Sequence, residues 1–137
     1  MSYRAPVTEY QFLFDHVVGL DQVSATERFG EATRDVTTAI LIEAGRMCEE
    51  VMAPLQRAGD EHPAVVENGV VRCSPGYVEG YRAIAEGGWV SIAASPEYGG
   101  MGLPMAVTTA VNEMMSAACL SLQLCPLMTQ GQIEALE

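Results

Sequence analysis

Apolar residues recur at steps of three and four along most of this chain, the spacing of an amphipathic helix and not the alternation of a strand. The longest such run follows Thr33. Val36, Ile40, Ala44, Met47, Val51 and Leu55 share one stripe, while Asp35, Glu43, Arg46, Glu49 and Glu50 fall mostly elsewhere on the wheel. Thr33 reads as an N-cap, its short hydroxyl side chain suited to a free N–H of the first turn. Leu41, Cys48 and Met52 widen the stripe, as in a helix that touches two neighbours, and Pro54 is expected to kink or end it. Upstream, residues 9–20 read as a short helix stopped at Gly19, with Tyr10, Phe14, Val17 and Val18 on one face. An extended arm that packs Phe12 and Phe14 separately would use the same residues.

The helical texture lapses between residues 60 and 75. Ala64-Val65-Val66-Glu67 and Val70-Val71-Arg72-Cys73 flank Asn68-Gly69, a pair that accepts the two positive φ angles of a type I′ turn. A small hairpin lying on helices is therefore predicted. Ser74-Pro75 opens a helix with Tyr77, Val78, Tyr81, Ile84 and Ala85 on one side, and Gly87-Gly88 stops it. Residues 88–104 then punctuate the chain. Trp89 and Ile92 belong to a short apolar anchor, and Gly99, Gly100 and Gly102 permit a tight reversal before Pro104 starts the next helix. That helix turns Val107, Val111, Met114, Ala118 and Leu122 inward and breaks around residues 119–121. A last helix takes in Leu124, Leu127, Met128, Ile133 and Leu136, with Pro126 in its first turn or at a kink. The fold class that follows is all-α with one small β-hairpin.

Composition narrows the class without naming a function. A chain of 137 residues suits one domain, and a hydrophobic content of 49% is too high for disorder. The 18 acidic against 7 basic residues leave a net charge of -11, which repels nucleic acid and anionic membrane surfaces, so neither is an expected partner. Cys48, Cys73, Cys119 and Cys125 have no zinc-ligand or redox spacing, and their apolar surroundings suit reduced core thiols in a cytoplasmic protein. The first 20 residues show neither a signal-peptide nor a membrane-span pattern. Helical periodicity runs through Ile133-Glu134-Ala135-Leu136-Glu137 with no Gly, Asn or Pro to end it, which favours a cut inside a longer protein.

Candidate chemistry is sparse. Gly99-Gly100-Met101-Gly102 departs from GxGxxG and is not followed by Gly-Lys-Ser/Thr, so a helix-to-helix linker is favoured over a phosphate cradle. His16 and His62 stand apart, without HExxH or His-Cys groupings, and read as surface or packing residues; no metal ligand is assigned. Ser91, Ser95 and Ser116 lack the context of a nucleophile elbow. The pairs Glu49-Glu50 and Asp60-Glu61 diverge by about a hundred degrees on a helix and read as solvated faces. The methionines, Met114, Met115 and Met128 among them, fill a core or line a cleft for a flexible apolar ligand. No catalytic constellation emerges from the residues alone.

Pro96-Glu97-Tyr98-Gly99-Gly100-Met101-Gly102-Leu103-Pro104, preceded by Gly88-Trp89, resembles the N-terminal helical domain of the flavin-dependent acyl-CoA dehydrogenases. The order agrees: a long helix with Ala53-Pro54-Leu55, a later helix into Gly-Trp, the Tyr-Gly-Gly-x-Gly-Leu-Pro loop, then helices with Asn112-Glu113 and Cys119. The arm Tyr3-Arg4-Ala5-Pro6, with Phe12 and Phe14, and the Asn68-Gly69 hairpin are similar to the larger subgroup with an N-terminal extension. On that resemblance residues 1–32 form the arm, and residues 33–137 the helical domain, truncated at its C-terminus.

The resemblance implies a three-part enzyme with a middle β-domain and a C-terminal four-helix bundle beyond this chain. In such enzymes a Glu carboxylate takes the α-proton of an acyl-CoA thioester while a hydride passes from the β-carbon to N5 of FAD, leaving an enoyl-CoA. It also implies an acyl-CoA substrate, an electron-transferring flavoprotein as redox partner, and a homo-oligomer. In relatives the start of the helix after the break helps wall the acyl pocket; the matching substrate-binding positions here are Leu122, Gln123 and Pro126, with ordinary packing as their alternative role. The catalytic Glu and most flavin contacts belong to the other parts, so no catalytic and no cofactor-binding residue is assigned, and the fragment alone is expected to be inactive. Two other readings use the same surface: a helical module that binds a partner helix, and an acyl-chain binder without redox chemistry.

Overall fold

The computed structural model describes residues 3–136; Met1, Ser2 and Glu137, the last residue of the C-terminal pattern, lie outside the described residues. Helix α1 (Val7–Leu13) widens into a π turn (Phe14–Val18) that Gly19 closes in the left-handed region, its N–H bonding the Phe14 carbonyl. Helix α2 (Leu20–Ser24) and a 3-10 turn (Glu27–Phe29) lead to α3 (Arg34–Met47). A second π turn (Cys48–Met52) joins α3 to α4 (Ala53–Glu61). The hairpin β1 (Val65–Glu67) and β2 (Val70–Arg72), helix α5 (Tyr77–Glu86) and the glycine-rich loop follow, and α6 (Met105–Leu136) completes the described chain. The architecture is all-α with one two-stranded hairpin. Helix α6 is its spine, packing against α3, the second π turn, α4 and α5. No helix among the described residues is long and apolar enough to cross a membrane.

The inner face of α6 is the one its pattern predicts: Val107, Val111, Met114, Ala118 and Leu122 are all buried. Thr33 caps α3 as expected, its side chain accepting from the Val36 N–H. Along α3 and the π turn after it the predicted Ala44 and Met47 are buried, as are Leu41, Cys48 and Met52 that widen the stripe, but the edges of the stripe differ from the prediction. Thr37, Leu41, Ala44, Cys48 and Met52 face the core, Val36 is exposed, and Ile40, Val51 and Leu55 are half-buried. Thr37 bonds its hydroxyl back to the Thr33 and Arg34 carbonyls, so a polar residue occupies the core face without an unmade bond. Counting apolar residues alone misses that option.

Pro54 does not end the helical run but falls in the first turn of α4. The π turn just before it takes up one extra residue, which relieves the clash between the proline ring and the carbonyl one turn back. At the N-terminus, helix α1 excludes the extended-arm alternative. Tyr10 and Phe14 are buried, but Val17 and Val18 are exposed because the wide turn rotates them off that face. In α5 the buried side is Gly80 and Ile84, with Tyr77 half-buried; Val78, Tyr81 and Ala85 point outward. Gly80 has no side chain, so Leu55 and Leu122 approach the backbone of α5 there, and that close approach decides which face turns inward.

The hairpin turns at Asn68 and Gly69 as predicted, with φ of 52° and 78°, and pairs Val66 opposite Val71. It does not lie on helices, as predicted, because every strand residue is exposed. Two of the four thiols depart from the expected core placement: Cys48 and Cys119 are buried, but Cys73 trails the hairpin and Cys125 faces out from α6. The Glu49-Glu50 pair also divides. Glu50 is exposed, whereas Glu49 pins the N-terminal arm, its carboxylate accepting from Arg4 Nη1 and the Ala5 N–H, both at 2.9 Å.

Two measurements test these contacts. A Cβ on Gly100 would run into the Ala94 carbonyl, whereas one on Gly131 meets open space on an exposed helix. Gly100→Ala is expected to cost about 2–4 kcal/mol and Gly131→Ala to gain about 0.5–1 kcal/mol, read from urea unfolding followed by circular dichroism. The Ala5 N–H, with Arg4, holds the Glu49 carboxyl below its ordinary value of 4.5. Its stabilising contribution is therefore complete above 4.5 and lost as pH falls through the lower folded value. Glu49→Gln should lower the urea midpoint at neutral pH and match the parent protein at about pH 3.

Candidate functional site: the break in helix α6

Cys119 is where α6 leaves helical geometry, at φ -159° and ψ 87°, with its thiol fully buried. Three polar side chains gather there. Tyr77 Oη lies 2.5 Å from Ser121 Oγ and 3.7 Å from Cys119 Sγ, and Cys119 Sγ lies 3.6 Å from Ser121 Oγ. Burial raises the Tyr77 phenol above its ordinary value. Its oxygen rests on Gly59 of α4, where any side chain would collide with the ring.

Beyond the break, the three sequence-predicted residues Leu122, Gln123 and Pro126 come together on the buried side of α6. Leu122 reaches Gly80 of α5. Gln123 heads a relay of amide bonds: its Nε2 donates to Asn112 Oδ1 at 2.9 Å, Asn112 Nδ2 donates to Gln130 Oε1 at 2.7 Å, and Gln130 Nε2 donates to the Trp89 carbonyl at 3.1 Å. The relay ties both segments of α6 to the loop after α5.

The opposite side of the same turns is apolar and open. Leu120 and Leu124 are each 52% exposed, Met128 is 71% exposed, and Leu127 lies beside them. Leu120, Ser121 and Leu124 line a groove of about 960 Å³ whose far wall is Gln56, Arg57, Gly59, Asp60 and Glu61 of α4. Arg57 is engaged by Glu61 at 2.7 Å, so the rim is acidic and presents no free cation to a phosphate. Leu120, Ser121 and Tyr77 were not singled out from the sequence as site residues. The face on which a residue falls depends on where the helix restarts. Once that point is Cys119, residues 120, 124 and 128 share one side and residues 122, 123 and 126 another.

The glycine-rich loop closes on itself. The N–H groups of Tyr98, Gly99, Gly100, Met101, Gly102 and Leu103 all bond carbonyls within residues 91–96. None is left to cradle a phosphate, so the loop does not fit the pyrophosphate of a flavin nucleotide, and its role is that of a linker. Trp89 and Ile92 anchor it in the core. His16 packs on Phe12 with ring centroids 4.8 Å apart, and His62 sits exposed at the end of α4. Met114 and Met115 fill the core, while Met128 stands on the open ridge.

Removing the middle of the amide relay leaves a donor on Gln123 and an acceptor on Gln130 without their bond. Asn112→Ala is expected to cost about 2–3 kcal/mol in urea unfolding, more than Gln130→Ala, because Gln130 is partly open to water at the end of the relay.

Residues 35–136 match the family model described as acyl-CoA dehydrogenase, N-terminal domain. The chain is 41% identical over 136 residues to the 3-methylmercaptopropionyl-CoA dehydrogenase of Ruegeria pomeroyi, covering 99% of this chain and 23% of that protein. It is 27% identical over 118 residues to the broad-specificity linear acyl-CoA dehydrogenase FadE5 of Mycobacterium tuberculosis, covering 85% of this chain and 19% of that protein. The chain thus spans less than a quarter of the length of either relative.

Proposed function

This chain belongs to the acyl-CoA dehydrogenase family, as its N-terminal helical domain, and from that premise we propose that it supplies one wall of the acyl pocket in a flavin-dependent enzyme that converts an acyl-CoA thioester to an enoyl-CoA. The observation that carries the reading is the open ridge of Leu120, Leu124 and Met128 beside a groove, directly after the break in α6. A contiguous apolar ridge of this kind marks a surface that another group covers. Leu122 and Pro126 back the ridge from inside, and Gln123 holds it to the loop through the amide relay. In this reading the chain's own task is to position an acyl group and exclude water, while FAD, bound by other parts of the enzyme, supplies the redox chemistry.

Residues 1–32 are an extension that packs Tyr10, Phe14 and Leu20 into the same core and steadies α3. The enzyme is cytoplasmic and a homo-oligomer, and an electron-transferring flavoprotein accepts its electrons. Likeness to the Ruegeria pomeroyi protein favours a short thioether-bearing acyl-CoA as the first substrate to try.

The test is anaerobic mixing of acyl-CoA with a polypeptide that joins this domain to the middle and C-terminal parts of the family. Bleaching of the flavin absorbance and formation of enoyl-CoA are expected, with kcat/KM falling about tenfold or more in Leu124→Asp, where a charge meets the apolar chain. Acyl-CoA binding without flavin reduction would overturn the dehydrogenase reading.

A further inference from the structure

The second segment of α6 starts from Cys119, whose backbone is non-helical, so its first turn follows directly on an interruption of the helix. What holds that turn in place comes from another helix. Tyr77, at the start of α5, reaches across the break and bonds Ser121, and its oxygen is fixed from behind by Gly59 of α4, which has no side chain to push it away. Ser121 and Gly59 both line the groove, so the phenol sits where the two walls approach each other.

We propose that Tyr77 is a positioning residue for this groove: its hydroxyl, bonded to Ser121 and seated on Gly59, sets how far the ridge of Leu120 and Leu124 stands from α4, and thereby the length of acyl chain that fits. The inference rests on the acyl-wall reading above. Loss of the hydroxyl leaves Ser121 only its contact with Cys119 in the same segment, lets the first turn swing away from α4, and widens the groove. Long acyl chains then gain room, and short ones lose contact.

The experiment compares kcat/KM for a short and a long acyl-CoA in the full-length flavoenzyme and its variants. Tyr77→Phe is expected to move the long-to-short ratio by about fivefold toward the long chain, the worth of one hydrogen bond. Ser121→Ala should give the same shift, Ser121→Thr should restore the parent ratio, and the double variant Tyr77→Phe, Ser121→Ala should add nothing further. Amide hydrogen exchange over residues 120–124 should quicken in Tyr77→Phe, a readout that needs no substrate. An unchanged ratio in Tyr77→Phe with an active parent enzyme overturns the positioning role. So does a shift that Ser121→Ala does not share. A parent that turns over no acyl-CoA defeats the acyl-wall reading, while the exchange measurement still decides whether the Tyr77 bond holds the turn.

Discussion

A long helix that breaks inside a core must be held at the break, and at Cys119 the side chains of α5 and α6 do so. Tyr77 of α5 bonds Ser121 on one side of the break. Gln123, in the same second segment as Ser121, bonds Asn112, which belongs to the segment before the break. The two segments are thus fixed to each other and to their surroundings by polar contacts in an otherwise apolar setting. A neutral hydrogen bond contributes only about 1 kcal/mol net, but leaving one unmade in the interior costs more. Because the relay continues through Gln130 to the Trp89 carbonyl, the loop after α5 takes its place from the same network.

The glycines serve that arrangement by clearance more than by flexibility. Gly59 makes room for the Tyr77 ring, Gly80 lets Leu55 and Leu122 reach α5, and Gly100 lies against the Ala94 carbonyl. Each close approach sets a distance, between helices at Gly59 and Gly80 and within the loop at Gly100, to less than a side chain would permit. The two π turns also punctuate the chain: one precedes Pro54 in the first turn of α4, and the other ends against Gly19. Core shape in this domain depends on where bulk is absent as much as on where it is present.

The second segment of α6 has two unlike sides. Its one side, Leu122, Gln123 and Pro126, is buried, and its other side, Leu120, Leu124 and Met128, is open and apolar. The domain that carries these two sides spans only a small share of its relatives' length. The self-closed glycine-rich loop spends its backbone donors on holding its own reversal.

The elements themselves were legible in the chain. Helical periodicity, Thr33 as a cap, Asn68-Gly69 as a turn, Gly19 and Gly87-Gly88 as stops and the break near Cys119 all stand where local chemistry puts them. Local rules suffice there because a cap or a turn is decided by the few residues that make it. The glycine-rich stretch with its flanks also carried the family, as the comparisons bear out. Which face of each element turns inward was another matter. Thr37 in place of Val36, Gly80 in place of Tyr81, and the hairpin valines left open were settled by partners distant in sequence. The groove shares that origin, since its two walls come from α4 and α6, and the distance between them exists only once Tyr77, Gly59 and Ser121 have met.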